Sequence, residues 1–457
     1  MYDLLIRGGT VVDPKNKRNG ALDIGIENGK VAEIGPDVSA SKAREMIDLT
    51  GYTLIPGVID THVHARGAAH RLMAKAGVCT CLDMSAIHSI IREIPERGCG
   101  LNVMGLQGIQ PFPDSMPTRD TVQKLIREAL EGGAIGIKLM GGHVPSSPDA
   151  TRMKIAIANE MGAYVAFHVG TTENGSNLHG LLEAIDLAGD NRLHIAHVNS
   201  YLRGMIKHPV EEVLDGLGAL KGKTNLVSES YLAIINGTGG RITDGLPHSH
   251  VTRNCLRMRG YEISREGLEA AIRDGYCLVQ VEVAGETELM TAHEGVEYWK
   301  EHDTNVSVSF PVNVPEATFL CATAKDADGE FIVDAISTDG GSIPRNVAVE
   351  SGLALVRYGA LTLEQFVHKV STAGAAMLGL PAKGHLGESA DADITVLDTR
   401  QAKPVMTIVG GKIVMAHGVI YGRRGTIICT KQGIEAPKSV GLDYQTIDVS
   451  DTLLYTK

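Results

Sequence analysis

The sequence predicts a parallel (β/α)8 barrel joined to a small β-sandwich that both ends of the chain build. Three observations predict it. From about residue 53 to 380, apolar strand-like runs alternate with helical patterns, the layout of a parallel α/β sheet. Residues 1–52 read as short alternating strands with Gly and Asn turns, and that pattern returns from about 385. Residue types that bind metals end several of the apolar runs, where barrel enzymes place their sites.

Taken in order, residues 1–52 form the first part of the sandwich, with Glu27-Asn28-Gly29-Lys30 as a hairpin turn. Residues 53–384 form the barrel. Its expected strands are Leu54–His64, Val78–Asp83, Leu101–Gln107, Ala134–Met140, Tyr164–Val169, Leu193–Asn199, Thr224–Ala233 and Phe331–Asp339. Two further runs, Tyr276–Val283 and Val306–Val312, fall between the seventh and eighth strands. They imply an insertion over 234–330 that forms part of the wall or lid of the site. Residues 385–457 complete the sandwich, through Ile394-Thr395-Val396-Leu397 and Thr407–Val414, and end in a tail without a strong period. The tail is expected to cover a surface or a subunit contact.

Val58-Ile59-Asp60-Thr61-His62-Val63-His64 is the most informative segment. On a strand, residues i and i+2 share a face, so the imidazoles of His62 and His64 can reach one ion. Four more candidates end later runs: Lys138, His168, His197 and Asp339. Lys138 to His168 and His168 to His197 are each about thirty residues apart, one βα unit of a barrel. A lysine inside an apolar strand is costly to bury as an ammonium. Converted by CO₂ to a carbamate, it could bridge two cations. Singly, each of these residues reads as an ordinary core or snorkelling side chain; together they read as a two-metal site.

With these residues in place, nearly the whole chain resembles the amidohydrolase superfamily. Tyr2–Pro14 resembles its first sandwich strands, Gly29–Gly35 its next hairpin and Gly384–Ile394 its return from barrel to sandwich. In its binuclear branch the resemblance implies that His62, His64 and Asp339 bind the buried metal, that carboxylated Lys138 bridges, and that His168 and His197 bind the outer metal. Asp339 is then also the catalytic proton acceptor. Two divalent ions are expected, with zinc the default for such ligands and manganese, cobalt, iron or nickel compatible.

Arg66 gives His-x-His-x-Arg, which resembles dihydroorotases, where this Arg grips the substrate carboxylate. Its planar fork suits that task. His143 follows Lys138 where related cyclic amidases place an oxyanion-stabilising tyrosine, and as a histidine it departs from that pattern. Tyr231, Arg241, His248 and His250 lie at or beyond the seventh strand end and are candidate substrate contacts. Ser337–Arg345 resembles the Ser-Asp-Gly…Pro-Arg stretch of N-acyl-D-amino-acid deacylases. Both resemblances imply a carboxylate beside a scissile amide. The favoured function is therefore an N-acyl-(D-)amino-acid deacylase, with a cyclic amidase of dihydroorotase or hydantoinase type as the alternative. A heterocycle deaminase is disfavoured by Lys138, which mononuclear relatives lack. A non-catalytic hydantoinase-like assembly protein is disfavoured by the intact ligand set.

Composition agrees. The chain is 43% hydrophobic and 21% charged, with a net charge of −11. That charge, and aromatics at only 4%, argue against a nucleic-acid partner. No apolar run is long enough for a membrane span, and no secretory pattern opens the chain. The seven cysteines are scattered, and Cys79 and Cys81 lack metal or redox spacing, which suits a reducing compartment. A cytoplasmic homo-oligomer acting on a small carboxylate-bearing molecule is expected.

Overall fold

The computed structural model describes residues 1–457. Eight parallel strands follow in chain order: β1 (Val58–His64), β2 (Val78–Asp83), β3 (Cys99–Gly108), β4 (Gly136–Met140), β5 (Tyr164–His168), β6 (Leu193–Ile195), β7 (Leu226–Tyr231) and β8 (Ala335–Ser337). Each pairs with the next. The ring closes just past β8, where Gly340–Gly341 pairs with Val63–His64. Glycine is required there: Gly341 has φ +80°, and a Cβ on it would lie 2.3 Å from the His64 carbonyl oxygen. Asp60 adds a second tie, its carboxylate accepting from the Thr338 amide (3.1 Å) and hydroxyl (2.5 Å). No helix is long and apolar enough to cross a membrane.

The sandwich packs a four-stranded sheet (Tyr2–Arg7, Asp23–Glu27, Lys30–Gly35, Ala43–Asp48) on a seven-stranded one, around Leu4, Ile6, Ile24, Leu54, Ile394 and Ile408. One expectation changes here. The apolar run Leu54–His64 is two strands, because Thr53–Pro56 pairs with Thr10–Asp13 and Ile394–Asp398 in the sandwich. The chain crosses into β1 at Gly57. A continuous hydrophobic run gives no sign of which sheet each half joins.

The tail also differs from expectation. Arg424–Thr430 does not join the sandwich; it pairs in parallel with the first half of β3, and Asp443–Ile447 pairs beside it. Farther along, Val449 and Leu454 enter the barrel's own core with Leu106, Tyr164, Val227 and Ala335. The tail thus seals the end of the barrel opposite the ligand-bearing strand ends. Lys457 fixes it by donating to the Leu226 carbonyl (3.0 Å) and Asp334 (2.6 Å).

The insertion between β7 and β8 has its own sheet, ordered Thr238–Gly239, Ser307–Ser309, Leu278–Val283, Glu286–Met290. A separate core around Trp299 and Phe310 stabilises it. It touches the barrel through Ser249, Asn313 and the ion pairs Glu282–Arg97 and Glu286–Lys75.

Candidate metal centre

The strand ends bring His62, His197 and Asp339 together, one ligand atom from each lying within 4.8 Å of the others. His62 Nε2 is 3.2 Å and His64 Nε2 3.1 Å from the same Asp339 oxygen, Oδ1. The His168 and His197 rings sit 4.4 Å apart, centre to centre. Alternation along β1 puts His62 and His64 on one face, as two-residue spacing requires. His168 depends on a close backbone approach from the neighbouring loop: a Cβ on Gly142 would lie 2.1 Å from its Nε2.

A buried carboxylate holds two of these candidate ligands in place. Glu229 of β7 is fully buried, and the sequence reading missed it. His62 Nδ1 donates to Glu229 at 2.6 Å, which leaves Nε2 facing Asp339. Glu229 also accepts from the His197 amide at 2.7 Å and from the Ser337 hydroxyl. Burial works against its charge, but His62 and the hydrogen bonds hold its carboxyl well below the usual range. A lone acid between two serines inside the strand Leu226–Tyr231 was the signal available. Glu229→Gln should weaken metal binding about 10- to 100-fold, the usual cost of losing a residue that orients a ligand. Competition with a metal-sensitive dye would measure it.

Asp339 has a second partner. Arg345, 1% exposed, places Nη2 2.5 Å from Asp339 Oδ2, and its Nε donates to the Asp339 carbonyl. Burial favours the neutral acid, yet Arg345 and His62 win and keep Asp339 well below the usual carboxylate range. One oxygen therefore faces the histidines while the other is clamped. Asp339 also has φ +48°, a left-handed conformation that Asp and Asn tolerate better than most residues.

Lys138 lies in the barrel at 1% exposure. Its amine finds only the Met84 thioether, at 3.5 Å, and no carboxylate within ion-pair distance. Burial lowers its pKa to about 8. The donor set fits divalent cations. It consists of nitrogen and oxygen donors, and His197 Nδ1 is buried without a hydrogen-bond partner.

The remaining candidates scatter. His143 is half-buried, with its ring 4.6 Å from that of His168 and Nδ1 2.9 Å from the Ser249 hydroxyl of the insertion. Burial, then the neighbouring His64, pushes its pKa down to about 4, so it is neutral. Arg66 is exposed on the loop after His64 and has no carboxylate within 4.0 Å. Tyr231 is not a surface that substrate can reach. It is fully buried, its hydroxyl accepting from Ser200 and Asn313 at 3.0 Å each and its ring lying 4.8 Å beneath Arg345. It supports the clamp on Asp339. Arg241 is exposed beyond β7. His248 and His250 are exposed too, and the His250 amide donates to the His143 carbonyl (3.2 Å), so their loop borders His143.

Comparisons with known proteins agree with the fold. Residues 302–415 match the profile of the amidohydrolase family. Dihydroorotase from Geobacter metallireducens is 26% identical over 445 residues, covering 87% of this chain and 90% of its own. A structure of D-aminoacylase, a protein with a binuclear metal centre, is similar with a TM-score of 0.67 at 17% identity, covering 93% of this chain and 99% of its own. N-acyl-D-glutamate deacylase from Bordetella bronchiseptica, complexed with zinc and a phosphonate inhibitor, is similar with a TM-score of 0.67 at 15% identity and the same coverage. These structures share with the chain a barrel joined to a sandwich, and in this chain the barrel gathers histidines and an aspartate at its strand ends. The family match is confined to residues 302–415, and over most of its length the chain is similar to proteins of the amidohydrolase superfamily.

Proposed function

We propose that this hydrolase cleaves the amide of an N-acyl amino acid, of D configuration. The observation that carries the reading is Arg66, an exposed guanidinium without a carboxylate partner on the loop that leaves ligand His64. A charged fork beside the metal centre suits a substrate whose carboxylate flanks the scissile bond. The similarity of Ser337–Arg345 to D-acylamino-acid deacylases, and the named D-aminoacylase structure, support the linear substrate. The dihydroorotase relative, which aligns over most of both chains, supports a second reading, a cyclic amidase of dihydroorotase or hydantoinase type.

His62, His64 and Asp339 would hold one divalent ion and His168 and His197 a second, with Lys138 as a carbamate bridge. Such ions, zinc by default, polarise a carbonyl and lower the pKa of a water. Asp339 accepts the proton of the attacking water and passes it to the leaving nitrogen. Neutral His143 donates to the oxygen on which charge develops. Arg66 anchors the substrate carboxylate, and Arg241 and His250 contribute to the far wall. Seven buried, unpaired cysteines suit a reducing cytoplasm.

Incubation with N-acetyl-D-amino acids, dihydroorotate and hydantoins separates the readings: new free amine supports the deacylase, ring opening the cyclic amidase. Arg66→Met should lower kcat/KM on the acid substrate about 10- to 100-fold, the range for a lost charge-assisted bond, with metal content unchanged. Lys at this position should rescue only partly, having no fork. Wild type should strongly prefer the acid over its neutral amide, and the Met variant should lose that preference. Equal losses on acid and amide would assign Arg66 to loop structure instead.

A further inference from the structure

The helix Pro209–Leu220, which follows β6, leaves an apolar face uncovered. Its inner side buries Val213, Leu217 and Leu220 against the barrel. Its outer side carries Val210 and Leu214, the latter 60% exposed. Gly218 completes the stripe one turn on, and a Cβ added there would meet nothing within 4 Å. These residues recur at four-residue spacing, so they form one ridge. Phe319, 45% exposed, stands on the helix Pro315–Thr323 packed alongside. Ile206 is exposed on the loop just before the helix. Its loop is held in place, because buried Glu212 accepts from the amides of Gly204 (2.7 Å), Ile206 (2.5 Å) and Lys207 (3.0 Å). Scattered apolar side chains on a surface need no explanation, whereas a ridge of them along one helix is a candidate interface.

We infer that this face is a two-fold interface with a second copy of the chain. The helix is self-complementary in an antiparallel pairing. When Leu214 of one copy lies over the open space at Gly218 of the other, Glu211 of the first is level with Lys221 of the second, and the reverse contact repeats by symmetry. Neither Glu211 nor Lys221 has an ion-pair partner within 4.0 Å in the single chain, and both are exposed. Charge order along the helix therefore selects a second copy over an unrelated apolar partner. The face lies on the outer helical layer, so pairing leaves the strand ends that bear the metal ligands open.

Analytical ultracentrifugation of the intact protein tests this. Wild type should sediment as a dimer. Leu214→Glu should shift it to monomer by placing like charges at the centre; at 60% exposure this residue is free of the fold's core, and circular dichroism and retained hydrolysis would report an intact chain. Glu211→Lys and Lys221→Glu should each weaken the dimer at least tenfold, and the double variant, which restores opposite charges across the two-fold, should recover it. A monomeric wild type overturns the inference. So does a dimer indifferent to Leu214→Glu, or a double variant weaker than either single one.

Discussion

Lys138→Ala should purify folded, nearly free of metal and with turnover reduced about 10³-fold or more, since a divalent site supplies several kcal/mol of transition-state stabilisation. The reason lies in the lysine's surroundings. A buried ammonium normally finds a carboxylate; Lys138 has only a thioether, and its pKa falls to about 8. A neutral amine attacks CO₂, and the resulting carbamate carries the negative charge that two cations attract. Short carboxylic acids should partly restore the alanine variant by filling the gap. Reconstitution of metal-free wild type should also depend on pH. A lowered pKa means that the amine is protonated below about 8 and free above it. At fixed dissolved CO₂, reactivation should therefore speed up as pH rises towards 8 and then level off. Unchanged metal content and turnover in Lys138→Ala would rule out the bridge.

Asp339→Asn should cost about 10²–10⁴ in kcat, the scale of a general acid–base group, with a smaller effect on KM. The left-handed backbone at 339 accepts Asn, so the loss should come from chemistry rather than misfolding. Buried Arg345 then loses its anionic partner, and breaking a buried pair costs about 3–5 kcal/mol of stability. Thermal unfolding should show that drop while kcat reports the proton-transfer loss. Arg345→Met separates the two effects by leaving the carboxylate in place. Arg345 holds Asp339 below the usual carboxylate range, so its removal raises the Asp339 pKa. The acidic limb of the pH–rate profile should move to higher pH. A limb unmoved in Arg345→Met and still present in Asp339→Asn would deny Asp339 the role of base.

Sequence pointed to His62, His197 and Asp339, which the fold brings together, because metal chemistry restricts residue type and the barrel restricts spacing. His168 and His197 stand at or just past parallel strand ends because consecutive βα units repeat about every thirty residues. The groups that orient the ligands were harder to see. Glu229 was visible as a lone acid in a strand, but its service to both His62 and His197 is a contact between separate strands, which no local pattern encodes. Arg345 ends the Ser337–Arg345 stretch, yet its clamp on Asp339 depends on how the chain turns after β8. Tyr231 misled because a strand-end position suggests the cavity, whereas Ser200, Asn313 and Arg345 enclose it. The tail was opaque for another reason. Residues that plug a barrel end are selected for fit against many strands, so they show no period of their own.

The most direct test of the metal-dependent account is elemental analysis of the intact protein purified without chelator. Six candidate ligands, with Lys138 proposed as a bridging carbamate, would be too many for a single tetrahedral ion, so about two divalent ions per chain are expected. A reproducible value near zero, with no uptake and no hydrolysis after adding zinc and bicarbonate, would contradict it.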